Sequence, residues 1–140
     1  MSKLTADETF ELGNLVRDAA IALGDWRIKN RSTLSRLQWE ELDDKEIALL
    51  NFASSIYTNA IGMVLDDNRA PLARLQSSVK QAKSAIQHIK SFKEALDLAS
   101  GLTLLAAAIA SGDVAEIPAG VVALEDAIEA IVSSGGSDET

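Results

Sequence analysis

Apolar positions recur along this chain mostly at helical spacing, and they divide it into four or five segments. Phe10, Leu12, Leu15, Val16, Ala19, Ile21 and Leu23 form a broad stripe, continued by Trp26 and Ile28, as expected of a helix with one face on a core. Thr5-Ala6-Asp7-Glu8 reads as a capping box ahead of it, with Thr5 at the N-cap and Glu8 three residues on. Arg27, Lys29 and Arg31 stand where cations suit the negative end of the helix dipole. A first helix is predicted from Ala6 to about Asn30, weakened at Gly13 and Gly24 by about 1 kcal/mol each relative to alanine.

Leu34, Leu37 and Trp39 suit a short second helix over Leu34–Leu42. Asp43-Asp44-Lys45-Glu46 looks like another capped start, followed by Ile47, Leu49, Leu50, Phe52, Ile56, Tyr57, Ile61, Val64 and Leu65. Whether 34–65 is one helix or two is left open by the pattern. Asp66-Asp67-Asn68 ends it, because turn formers precede Pro71 at a position suited to a first helical turn.

From Pro71 the spacing tightens. Leu72, Leu75, Val79, Ala82, Ile86 and Ile89 alternate threes and fours, the narrow seam of a coiled coil. Phe92, Leu96, Ala99, Thr103, Ala106 and Ala110 continue it after two successive threes, a stammer that overwinds a supercoil. The pattern favours one long heptad-patterned helix over about 70–111, roughly 63 Å at 1.5 Å per residue. Ser91-Phe92-Lys93-Glu94 offers the competing reading, a capping box with a break near Lys90.

The greasiest segment follows directly. Between Leu98 and Leu124 the only charges are Asp113 and Glu116. Ser111-Gly112-Asp113 is the turn of an apolar αα-hairpin, with Gly112 suited to the residue after a helix end. Pro118 opens the last helix, with Val121, Leu124, Ile128 and Ile131 on one face and Ala119, Ala123 and Ala127 at every fourth position. Residues 133–140 read as a disordered tail after a single domain over 1–132. The fold class expected is all-α: an antiparallel four- to five-helix bundle with the long helix and the C-terminal hairpin.

Composition narrows the chemistry. The 140 residues are 47% apolar, enough for a real core, and the 4% aromatic content leaves the packing to Ala, Leu and Ile, which suits helices. The absence of cysteine excludes disulfides, thiolate metal sites and cysteine nucleophiles. MSKLTADETF lacks the apolar core of a secretory signal, so a cytoplasmic protein is expected, with leaderless export as the other route. The net charge of −8 argues against general nucleic-acid binding.

That charge is unevenly spread. Residues 1–67 hold seven basic and twelve acidic side chains, 68–93 hold six basic and none acidic, and 94–140 hold nine acidic and none basic. The last two segments are expected to attract each other, within the chain or between chains. A second acid-free stretch, WRIKNRSTLSRLQW, is bracketed by Trp26 and Trp39, which serve either as core anchors or as contacts to a partner or membrane interface.

Catalytic constellations are missing. His88 is the single histidine, and Ser84, Ala85, Ser91 and Phe92 stand where a carboxylate partner would be needed. The acidic run 40–46 lacks the spacing and turn glycine of a calcium loop and reads as a solvated helix start. No catalytic residue, cofactor or metal site is expected, and an enzyme with unseen sites is the weakest reading. The expected function is non-catalytic: protein–protein association as an oligomer or as a subunit of a complex, with a second copy or another protein as partner.

The alternative is a membrane-acting protein of the pore-forming type that inserts the 98–124 hairpin. The uncharged run 98–112 is 15 residues, short of the ~20 that span a bilayer, so insertion would be conditional rather than standing. The candidate interaction or insertion residues are Leu102, Leu105, Ala106, Ile109, Val121, Leu124, Trp26 and Trp39.

Overall fold

The computed structural model describes residues 3–137, with side chains through residue 133. Five helices carry the described chain: α1 (Ala6–Lys29), α2 (Arg36–Asn59), α3 (Leu72–Ala85), α4 (Phe92–Ser111) and α5 (Ile117–Ser137). α1 packs on α2, α2 on α4, α4 on α5, and α3 closes the ring by packing on both α5 and α1. Leu12, Val16, Leu49, Ile56, Leu75, Leu98, Leu102, Leu105, Leu124 and Ile131 are buried at its centre.

Local signals set most of the helix starts. Thr5 Oγ1 accepts from the Glu8 amide at 3.1 Å, and the Glu8 carboxylate accepts from the Thr5 amide at 2.9 Å, the reciprocal box that the spacing predicts. α2 begins with a box of its own. Ser35 Oγ accepts from the Gln38 amide at 3.1 Å, and Gln38 Oε1 accepts from the Ser35 amide at 3.0 Å. α2 is therefore one helix over Arg36–Asn59, and the acidic run 40–46 lies inside it rather than at a start.

It also ends sooner than the apolar pattern suggests. Gly62 takes φ +81°, a left-handed conformation that glycine adopts at little cost. The chain turns there so that the Gly62 amide donates to Leu4 O at 2.8 Å and the Leu4 amide to Met63 O at 2.9 Å. Ile61, Val64 and Leu65 thus belong to a connection, with Leu65 buried beneath it.

The long helix over 70–111 does not form. α3 stops at Ala85, a 3-10 turn occupies Ile86–His88, and α4 starts afresh at Phe92. The amide of Glu94 donates to Ser91 Oγ at 3.2 Å, and Glu94 accepts in return from the Lys90 amide at 2.8 Å. The cap at Ser91 prevails over heptad continuity at the place where the seam slips phase. Leu75, Val79, Ala82, Ile86 and Ile89 are buried in the core, so the seam is the inward stripe of the 14-residue α3 and of the turn that follows it.

The hairpin turn forms as expected, with Gly112 at φ +72° and the Asp113 amide reaching back to Ala108 O at 2.9 Å. α5 runs on to Ser137, past the point where the pattern ends the domain, and residues 138–140 lie outside the described residues.

Candidate association surface

The apolar residues singled out in the hairpin face inward. Leu102, Leu105, Ala106, Ile109, Val121 and Leu124 are all buried in the core. Two glycines make this possible. A Cβ added at Gly101 would lie 3.0 Å from the Leu124 Cα, and one at Gly120 would lie 2.9 Å from the Leu105 Cα. α4 and α5 therefore touch backbone to backbone, and their large side chains swing to the sides that meet the other helices. Of the four-residue alanine repeat, Ala123 meets this crossing through its backbone, 3.4 Å from a Cβ at Gly101; Ala119 is exposed, and Ala123 and Ala127 are half-buried.

What the hairpin leaves to solvent is a shallow groove of about 660 Å³ where α4 and α5 meet α2. Phe52, Leu104, Ala107, Ala123, Ala127 and Ala130 line it, and Lys45, Asp97 and Asp126 are its charged members. Leu104 is 52% exposed, although the residues on either side of it in the apolar run include fully covered ones. The one hydroxyl hydrogen bond there, Thr103 Oγ1 to Ala99 O at 2.6 Å, turns back on its own helix. The surface offers shape and apolar area rather than chemistry.

The tryptophans flank a different feature. Arg27 is 9% exposed and lies between α1 and α2, its Nη2 2.8 Å from Glu46 Oε2 and 3.2 Å from Asp43 Oδ1. Its guanidinium stacks over Trp39 at 4.3 Å, and that of Arg31 approaches the same ring at 5.2 Å. Gly24 leaves the space into which the Glu46 carboxylate fits. Trp39 is thus an anchor for a nearly buried cation, and Trp26 is half-buried in the α1 wall.

Sequence reasoning treated Arg27 as a helix-end charge and 43–46 as solvated acids. The signal available was Gly24 one turn from Arg27, a small residue where a neighbour must enter. Leu104 was missed because it sits within an apolar run whose inward and outward members look alike.

The expected attraction between the basic and acidic segments appears within α4, where Lys93 pairs with Asp97 at 3.2 Å, and between helices at Glu125. Glu125 of α5 accepts from Arg74 Nη2 at 2.7 Å and Nε at 3.1 Å, and from Ser78 Oγ at 3.2 Å, all three donors on α3. The hydrogen bond from Arg74 holds the Glu125 carboxyl below the ordinary carboxylate range, against desolvation, and the same bond raises Arg74. His88 is exposed. Among the described residues no group of three or more His, Cys, Asp and Glu could hold a metal ion.

α4 is long and apolar enough to cross a membrane by length and composition, and more than half of that stretch is buried inside the fold. No protein-family model matches the chain, and no curated protein or solved structure matches it.

Proposed function

We propose that this chain is a non-catalytic helical protein that acts by association, as an oligomer or as a subunit of a complex, through the groove of α2, α4 and α5. The observation that carries the reading is Leu104, half exposed in the strongly apolar helix α4 beside a floor of alanines. A large aliphatic next to small residues can enter a partner's groove while its own groove receives the partner's side chain, the knobs-into-holes logic of helix pairing. We further infer that the five helices form an antiparallel bundle. The paired approaches of Gly13 to Tyr57 and Gly24 to Glu46, and of Gly101 to Leu124 and Gly120 to Leu105, support opposite directions within each hairpin.

Light scattering after size exclusion tests this. The mass is expected to rise with concentration, and Leu104→Glu is expected to return it to the monomer with helicity unchanged. A monomer at every concentration would remove the oligomer reading, and an L104E variant that still assembles would remove the groove.

A second reading, insertion of the hairpin into a membrane, draws on the length and apolar character of α4. It requires the buried face of α4 to leave the core. Leakage of dye from vesicles is its test, and intact vesicles at high protein concentration would end it.

A further inference from the structure

The two acid-free stretches of the sequence, 26–39 and 68–93, are distant in the chain, yet Lys29 and Arg31 of the first and Lys83, Lys90 and Lys93 of the second come to one end of the fold, while Arg69 and Arg74 lie at the other. Asp25, Trp26, Ile28 and Lys29 in the last turns of α1 share a cleft of about 470 Å³ with Lys83, Ile86 and Gln87 at the close of α3, so Asp25 offsets part of its positive charge. From there the chain passes through Arg31 to Arg36 on one side and through Lys90 to Lys93 on the other. The opposite end is built from the 60–71 connection and the hairpin turn, where Asn68 and Arg69 adjoin Pro118 and Ala119. It holds Asp66, Asp67, Asp113 and Glu116 together with Arg69 and Arg74.

Part of the basic end is already neutralised: Arg36 pairs with Glu40 and Lys93 with Asp97, each at 3.2 Å. Lys29, Arg31 and Lys83 make no ion pair among the described residues. At the same end stand the two most exposed of the large apolar side chains, Ile28 at 63% and Leu37 at 74%. They project from different elements, the last turn of α1 and the first turn of α2, with half-buried Trp26 and Trp39 nearby.

We propose that this end docks on the anionic headgroup layer of a lipid bilayer, with Ile28 and Leu37 entering the headgroup–acyl boundary and Lys29, Arg31 and Lys83 on the lipid phosphates. Cations beside protruding aliphatics and interfacial tryptophans are the combination that holds proteins at an anionic membrane surface. A fluid surface accepts two separate apolar points, whereas a helical partner would need them to line one continuous groove. The chain carries −8 overall, so binding to an anionic surface depends on presenting unpaired cations such as these. The α4–α5 hairpin stays closed throughout, so binding without leakage is expected, and the inference does not depend on the association reading above.

Co-sedimentation of the full chain with vesicles of phosphatidylcholine alone, or mixed with phosphatidylglycerol, tests the proposal. Binding is expected only with phosphatidylglycerol, and it should weaken as salt rises. The double variant Ile28→Ser, Leu37→Ser should lower binding by about tenfold through lost apolar insertion. Lys29→Glu with Lys83→Glu should abolish it, and Leu104→Ser should leave it unchanged.

No binding to phosphatidylglycerol vesicles at low salt overturns the proposal, and so does binding that I28S/L37S leaves intact. Equal capture by soluble polyglutamate would assign this end to an acidic polypeptide instead and overturn it as well.

Discussion

Thr9 is fully buried in α1, and its Oγ1 has no hydrogen-bond partner. A buried hydroxyl without a partner forgoes its bonds to water with nothing in exchange. Thr9→Val keeps the shape and removes that cost, so stability should rise by about 1 kcal/mol. The urea midpoint should move up with no change in slope, and a lower midpoint would show that the hydroxyl is satisfied. Gly13 and Gly24 make the same point from the other side. Each weakens α1 as an isolated helix, yet a Cβ at Gly13 would lie 2.6 Å from the Tyr57 ring, and one at Gly24 would strike the carboxylate of Glu46. The local cost of glycine is legible from sequence; the side chain it admits belongs to another helix.

At the scale of elements, two signals competed around Lys90, and the shorter-ranged one prevailed. Heptad continuity through 86–92 asks two apolar seams of different phase to share one axis. The Ser91 cap lets each seam reach the core on its own helix, with Ile89 covered on one side of the break and Ala95 on the other. The α4–α5 contact depends on a different kind of element-level fact. Because a Cβ at Gly120 would lie 2.9 Å from the Leu105 Cα, Gly120→Ala must push the two helices apart. The expected loss is about 1–3 kcal/mol from overpacking, even though alanine favours the isolated helix by about 1 kcal/mol. Thermal unfolding of G120A checks it, and a variant as stable as the parent would mean that the crossing relaxes without cost.

For the whole molecule, the charge segregation noted along the chain is expressed between helices in the bidentate bridge from Arg74 of α3 to Glu125 of α5. Because Arg74 keeps the Glu125 carboxyl below its ordinary range, this group adds stability that is present above the unfolded carboxylate value of about 4.3. That stability is lost as pH falls through the lower folded value. Both side chains are more than a third exposed, at 40% and 35%, so screening limits the effect to at most about 1 kcal/mol. Glu125→Gln should lower stability near neutrality and flatten its decline between about pH 5 and pH 3. Urea midpoints over that range measure it, and an E125Q profile parallel to the parent's would show that the bridge carries nothing.

The sequence by itself determined the helical class, the capping box at Thr5 and the turn at Gly112. These depend on residues within a few positions of one another, where periodicity and capping act. It did not determine which face of an all-round apolar helix turns inward. Leu104 and Leu105 are adjacent and alike in sequence, and the close approach at Gly101 and Gly120 sends one out and the other in. Nor could it foresee that Arg27 would be nearly buried on Trp39, or that Lys29 and Lys83 would share a cleft. The greasiest segment proved to be largely covered by its own fold, because burial is decided by what packs against a residue rather than by the residue's own hydropathy.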